Sequence, residues 1–154
     1  MSSARQSVII EADLPTVWGV VRDYEHYPEF IPEMRSVRVL RKADTAQDVE
    51  FGIELELLGM RKTVHYTLAM TDTPPNRIDW TLVRSDVLKG DDGGWEFRSL
   101  GERRTEATYH IEVKLGPFVP GAVSRFLVEQ SLPKLLGQFK RRAESLPKAG
   151  TGSS

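Results

Sequence analysis

The chain has 154 residues, with 21 Lys and Arg against 22 Asp and Glu, and a formal charge of −1. So even a balance argues against nucleic acid as the main partner, because phosphate binding needs a basic patch. There is no cysteine, which removes disulfides, thiol nucleophiles, Cys-ligated zinc and iron–sulfur clusters. Hydrophobic residues make up 40% and charged residues 28%, enough for one domain with its own core. We place that domain at 1–147 and read 148–154 (Lys148 to Ser154) as a flexible tail. The N-terminus has no apolar signal segment. No apolar run reaches the roughly 18 residues of a membrane span. A cytoplasmic location is expected, and a transient membrane contact is compatible with it.

Gln6 to Ala12 reads as a strand. Asp13 then suits a helix N-cap, with Pro15 in the first turn, where its missing N–H is harmless. Leu14, Val17, Trp18 and Val21 fall at helical spacing, so one stripe of this helix is buried. Tyr24 to Pro32 contains two prolines and predicts short turns, not a continuous helix.

From Met34 the period changes to two. Val49, Phe51, Ile53, Leu55 and Leu57 alternate with Glu50, Gly52, Glu54 and Glu56, the clearest strand signal in the chain. Gly59 makes a tight turn, and Val64, Tyr66, Leu68 and Met70 continue the apolar face. Thr73-Pro74-Pro75-Asn76 is a second turn. Ile78, Trp80 and Leu82 follow. Gly90 to Gly94 reads as a break or bulge before Trp95 and Phe97, with Asp86, Asp91 and Asp92 in a loop. After the Gly101 turn, Ala107, Tyr109, Ile111 and Val113 close a sheet of seven strands. Six are consecutive, which predicts antiparallel pairing.

Ala122 to Leu146 is helical, with Leu132, Leu135, Leu136, Phe139 and Ala143 on one stripe and Val119, Val123 and Phe126 on another. Pro133 lies between them and predicts a kink.

The alternation gives the sheet one dry and one wet face. The dry face carries Phe51, Ile53, Leu55, Tyr66, Leu68, Trp80, Leu82, Trp95, Phe97, Tyr109 and Ile111, and is read as free of charge. The wet face carries Glu54, Glu56, His65, Asp79, Glu96, Arg98, His110 and Glu112. An uncharged aromatic face suits an apolar ligand, because an unpaired buried charge costs about 3–5 kcal/mol. The same face equally suits a core packed on the last helix. A single helix of about 10 Å diameter does not fill the hollow of a strongly curved sheet, which favours a cavity. The Gly90 to Gly94 segment lacks the Lys-Ser/Thr of a phosphate loop, and the aspartates do not follow a calcium-loop pattern. No cofactor and no metal are expected.

Val17 to Pro32, VWGVVRDYEHYPEFIP, resembles the entry segment of the START-like (SRPBCC) superfamily, closest to its polyketide cyclase/dehydrase and coenzyme Q-binding branches. Gly94-Trp95-Glu96-Phe97 followed by Leu100-Gly101, Arg104-Thr105, and the final Leu-, Lys- and Arg-rich helix extend the resemblance over Gln6 to Leu146. It implies an α+β helix-grip fold. A curved antiparallel sheet of about seven strands wraps a long C-terminal helix, and two short helices follow the first strand. It also implies an internal cavity for a lipid, quinone, isoprenoid or polyketide-like molecule. Trp18, Tyr27 and Phe30 would then lie at the cavity end, and Phe126, Leu127 and Gln130 would face it from the long helix.

Three functions fit these readings. The first is a binder or carrier of a hydrophobic small molecule, held by the dry face with hydrogen bonds from Tyr66, Tyr109, Trp80 or Gln130. The second is a cyclase or dehydratase in the same cavity, with Tyr66 or Tyr109, and possibly His26, as general acid. The third is a protein-interaction module using the outer acidic face.

Overall fold

A computed structural model describes residues 2–57, 59–116 and 131–147. Helix α1 spans Leu14–Arg22. The Thr16 backbone N–H donates to Asp13 Oδ1 at 2.9 Å, closing the predicted N-cap. Thr16, Val17, Val20 and Val21 are buried, while Leu14 and Trp18 lie at the edge of the stripe. A 3-10 turn, Tyr24–Glu29, follows with Pro28 inside it. It is tied back to α1 by the Tyr27 hydroxyl, which donates to the Val21 carbonyl.

Seven strands form one antiparallel sheet: β1 (Ser2–Ile10), β2 (Met34–Lys42), β3 (Ala46–Leu57), β4 (Met60–Thr73), β5 (Arg77–Ser85), β6 (Leu88–Gly101) and β7 (Arg104–Leu115). Their order is β1-β7-β6-β5-β4-β3-β2, a meander whose last strand pairs with the first. Gly59, at φ +77°, sits in the turn between β3 and β4. Strand β1 begins earlier than expected because it pairs with β7 along its length, from Ser2 opposite Val113 to Ile10 opposite Thr105. The buried Thr105 hydroxyl donates to the Ala12 carbonyl, fixing the chain as it leaves β1.

Of the break or bulge expected at Gly90 to Gly94, the break is not found and an irregularity in register falls at its leading edge. Apart from a register shift between Leu88 and Gly90, β6 runs through this segment. The glycines serve close approach. A Cβ at Gly93 would lie 2.4 Å from the His110 carbonyl oxygen and 2.8 Å from the Trp80 ring. Trp80 therefore lies flat against the β6 backbone. The ladder between β5 and β6 runs only from Arg77 opposite Glu96 to Trp80 opposite Gly93. Beyond that point β5 keeps its pairing with β4 and β6 keeps its pairing with β7.

Helix α2, Ser131–Glu144, buries Leu132, Leu136, Phe139 and Ala143, with Leu135 partly buried against the same core. Polar contacts hold both its flanks. Lys140 Nζ donates to the Ile9 carbonyl, and Glu144 accepts from the Glu11 backbone N–H. On the other side Lys134 and Gln138 donate to Glu33, and Arg142 donates to Glu29 and lies 5.2 Å over the Phe30 ring. The helix predicted from Ala122 to Gln130 and the predicted stripe of Val119, Val123 and Phe126 fall outside the described residues, as does the tail from 148. Pro133 lies in the first turn of α2, and the kink predicted there involves preceding turns outside the described residues.

Candidate ligand-binding face

The concave side of the sheet is built from alternate residues of β3 to β7, and cross-strand pairs fix which side chains share it. Val49 lies opposite Leu68 and Phe51 opposite Tyr66. Leu68 lies opposite Leu82 and Met70 opposite Trp80. Trp95 lies opposite Tyr109, and Gly93 opposite Ile111.

This face has two regions. In the first, Tyr27 and Phe139 meet edge-on at 5.1 Å, Phe30 and Phe139 at 5.4 Å, and Trp95 and Phe139 at 5.2 Å. Phe51, Trp95, Phe97 and Tyr27 are buried here, so this end is a packed aromatic plug beneath α2. Trp18 meets Phe97 edge-on at 6.2 Å on its border. In the second region, Ile53, Tyr66, Leu82 and Ile111 share the face but stay only partly buried. The predicted residues Phe126, Leu127 and Gln130, and the side chain of Leu55, lie outside the described residues.

The face is not free of charge, which corrects the sequence reading. Asp91 and Asp72 both lie on it, each buried to 5% exposure. They follow from the same alternation: Asp91 has the parity of Gly93, Trp95 and Phe97, and Asp72 that of Leu68 and Met70. Asp72 takes a hydrogen bond from Arg22 Nε at 2.8 Å, with Arg22 Nη2 at 2.7 Å. Asp91 has no basic partner among the described residues. Its Oδ1 accepts from Trp80 Nε1 at 3.0 Å. Burial pushes its carboxyl up to about 7, against the opposing Trp80 hydrogen bond and with the Asp92 charge adding to it.

Tyr66 and Tyr109, on the same face, feel this carboxyl. Burial raises both phenols, and the Asp91 charge raises them further. Tyr66 stacks on Phe51 at 5.2 Å, and Tyr109 lies 5.2 Å from Trp80 and 4.8 Å from Trp95. Two of the three general-acid candidates thus share the concave face with Asp91, which lies on β6 and not in a loop. His26 does not join them. It is exposed on the 3-10 turn, its Nδ1 2.6 Å from Asp23 Oδ1. That side-chain bond, then the charges of Asp23 and Glu29, raise its pKa. His65 and His110 stand on β4 and β7, with β5 and β6 between them. Among the described residues no three His, Asp or Glu side chains are grouped to hold a metal.

The arginines of β4 to β7, namely Arg61, Arg77, Arg84, Arg98 and Arg104, are all exposed. Among the described residues the polar groups of the concave face are therefore carboxyl, phenol and indole groups, joined by the Arg22 guanidinium that reaches Asp72 from α1. No helix among the described residues is long and apolar enough to cross a membrane.

The model of the family described as polyketide cyclase / dehydrase and lipid transport matches residues 10–140, and the chain belongs to that family. A relative from Pseudomonas aeruginosa, named ribosome association toxin RatA, is 24% identical over 143 residues, covering 92% of this chain and 95% of its own. A START superfamily protein from Mycobacterium smegmatis superposes with a TM-score of 0.81 at 21% identity, over 94% of this chain and 99% of that one. The Zhui aromatase/cyclase from Streptomyces sp. R1128 superposes with a TM-score of 0.83 at 18% identity, over 99% of both chains. The fold is the START-like helix grip.

Proposed function

We propose that the chain binds a largely apolar small molecule between the concave sheet face and the C-terminal helix. One observation carries this reading. Ile53, Tyr66, Leu82 and Ile111 keep accessible surface on the face whose other end is packed by Phe139. Apolar side chains held open inside a curved sheet are the lining a hydrophobic ligand requires. Family membership supports the same reading, since the family's description includes lipid transport. A lipid, quinone, isoprenoid or polyketide-like molecule would each suit this surface.

Native mass spectrometry of the chain purified from its own cells, followed by organic extraction, tests it. A co-purifying apolar molecule is expected, and Leu82→Asp should abolish it in a folded protein. A chain that is empty as isolated, and that takes up no apolar probe, removes the reading.

The relative named for ribosome association matches along nearly the whole chain and supports a second reading, in which this domain meets a ribosomal partner. Co-sedimentation with ribosomal particles on a sucrose gradient tests it. A chain that stays at the top of the gradient at low salt removes it.

A further inference from the structure

We propose that Asp91 is the polar anchor of the concave face and accepts the hydroxyl group of a largely apolar alcohol or phenol. This rests on the cavity reading above and narrows its ligand.

The geometry carries the inference. Asp91 is buried on β6 just past the last paired residues of β5 and β6, where the ladder between those strands stops. Gly93 makes the site possible: with no Cβ there, the Trp80 indole lies against β6 and turns its N–H onto Asp91 Oδ1. That bond uses one oxygen. Asp91 Oδ2 has no hydrogen-bond partner among the described residues, and neither has the hydroxyl of Tyr66 or Tyr109. Among the described residues these three polar atoms are therefore left without partners. None of them is a fully buried unpaired atom, so each keeps accessible surface, where a polar group of a bound ligand can take the place of water.

The nature of that partner follows from the surroundings. The groups acting on Asp91 are the Trp80 indole, the Tyr66 and Tyr109 phenols and the Asp92 carboxylate on the outer side of its own strand. None is basic. A second acid would be repelled, and a bare carbonyl could accept from a phenol but has no proton to give Oδ2 once the carboxyl is ionised. A hydroxyl satisfies Oδ2 and can accept in turn from either phenol. Ile111, opposite Gly93, and the Tyr66 ring keep accessible surface on the same face, suiting a flat or cyclic apolar body.

The test compares 2-naphthol with 2-methoxynaphthalene, which differ only in the hydroxyl proton and a methyl group, by titration against the full chain at pH 8. Wild type should bind the naphthol about tenfold more tightly, the worth of one charge-assisted hydrogen bond. In Asp91→Asn the amide keeps its oxygen toward Trp80 and turns an N–H to the ligand. That N–H serves a hydroxyl and an ether oxygen alike, so the two affinities should converge. In Asp91→Leu the preference should vanish, while the ether binds within about twofold of wild type, which also reports that the variant is folded. Equal binding of the two probes to wild type, or a preference that survives in both variants as a purely steric effect would, overturns the anchor alone. If neither probe binds wild type, the cavity reading fails and the anchor with it.

Discussion

Replacing Asp91 by Asn should make the protein more stable at pH 8 and less stable at pH 4. In the folded chain the Asp91 carboxyl is pushed from 3.8 up to about 7 by burial. The native state therefore holds a proton that the unfolded chain has already released between those values. Stability falls as pH rises through this window and is level above it. A difference of about 3 pH units, at 1.36 kcal/mol each, makes the full loss about 4 kcal/mol. Asn cannot ionise and escapes the loss. It leaves a buried amide N–H without a partner, a cost of about 1–3 kcal/mol. At pH 8 the variant should then be more stable than wild type by roughly 2 kcal/mol, and at pH 4 less stable by a similar amount. Urea unfolding followed by far-ultraviolet circular dichroism at both pH values measures this directly. The other carboxylates titrate equally in the two proteins and cancel in the difference. A difference between variant and wild type that is the same at pH 4 and pH 8 refutes the burial of an ionisable, unpaired Asp91.

Three further substitutions probe the frame around the site. Phe139→Ala empties the centre of the aromatic plug, where the ring touches Tyr27, Phe30 and Trp95; a loss of about 3–5 kcal/mol is expected in denaturant unfolding. Gly93→Ala puts a methyl group 2.4 Å from the His110 carbonyl oxygen and against Trp80. It should cost about 1–3 kcal/mol and shift tryptophan emission as the indole leaves Asp91, and unchanged emission would count against the packing described. Arg22→Met strands the buried Asp72 and should cost about 3 kcal/mol. Adding Asp72→Asn should restore most of that in a double-mutant cycle read by thermal unfolding.

Much of the frame was legible in the sequence because its causes are local. Asp13 and Pro15 mark the start of α1 through backbone chemistry within four residues. The alternation from Val49 to Leu57 dictates a strand wherever it is placed. The Gly90 to Gly94 segment misled because glycine weakens a strand locally, whereas here it is required by Trp80 and the β7 backbone pressing on it. Ser2 to Arg5 carry no strand signal of their own and are extended because β7 offers a full-length partner. At the site, membership of the concave face followed from parity, but its division did not. Tyr27, Phe51 and Trp95 are sealed while Ile53, Tyr66, Leu82 and Ile111 stay open because of where Phe139 sits. That depth is set by contacts of α2 with β1, Glu29 and Glu33, remote in sequence. Asp91 was missed by reading its glycine neighbours as a loop instead of counting parity back from Trp95.

The two buried aspartates of the concave face separate structural need from functional need. Asp72 is matched by Arg22, so its charge seats α1 on the sheet and has a use within the fold. Among the described residues Asp91 is bonded to the Trp80 indole and has no basic group to pair its charge. The Trp80 N–H needs an acceptor, but a neutral amide oxygen supplies one, so the fold accounts for Asp91 Oδ1 and not for the second oxygen or the charge. Groups that cost stability and serve no internal pair concentrate where a protein meets its ligand. A purely structural Asp91 predicts that at pH 8 Asn serves as well or better in both stability and probe binding. A ligand anchor predicts a protein that is stabler at pH 8 yet has lost its preference for the hydroxyl-bearing probe. Unfolding and ligand titration on the single variant Asp91→Asn therefore give opposite signs if the anchor is real and the same sign if it is not.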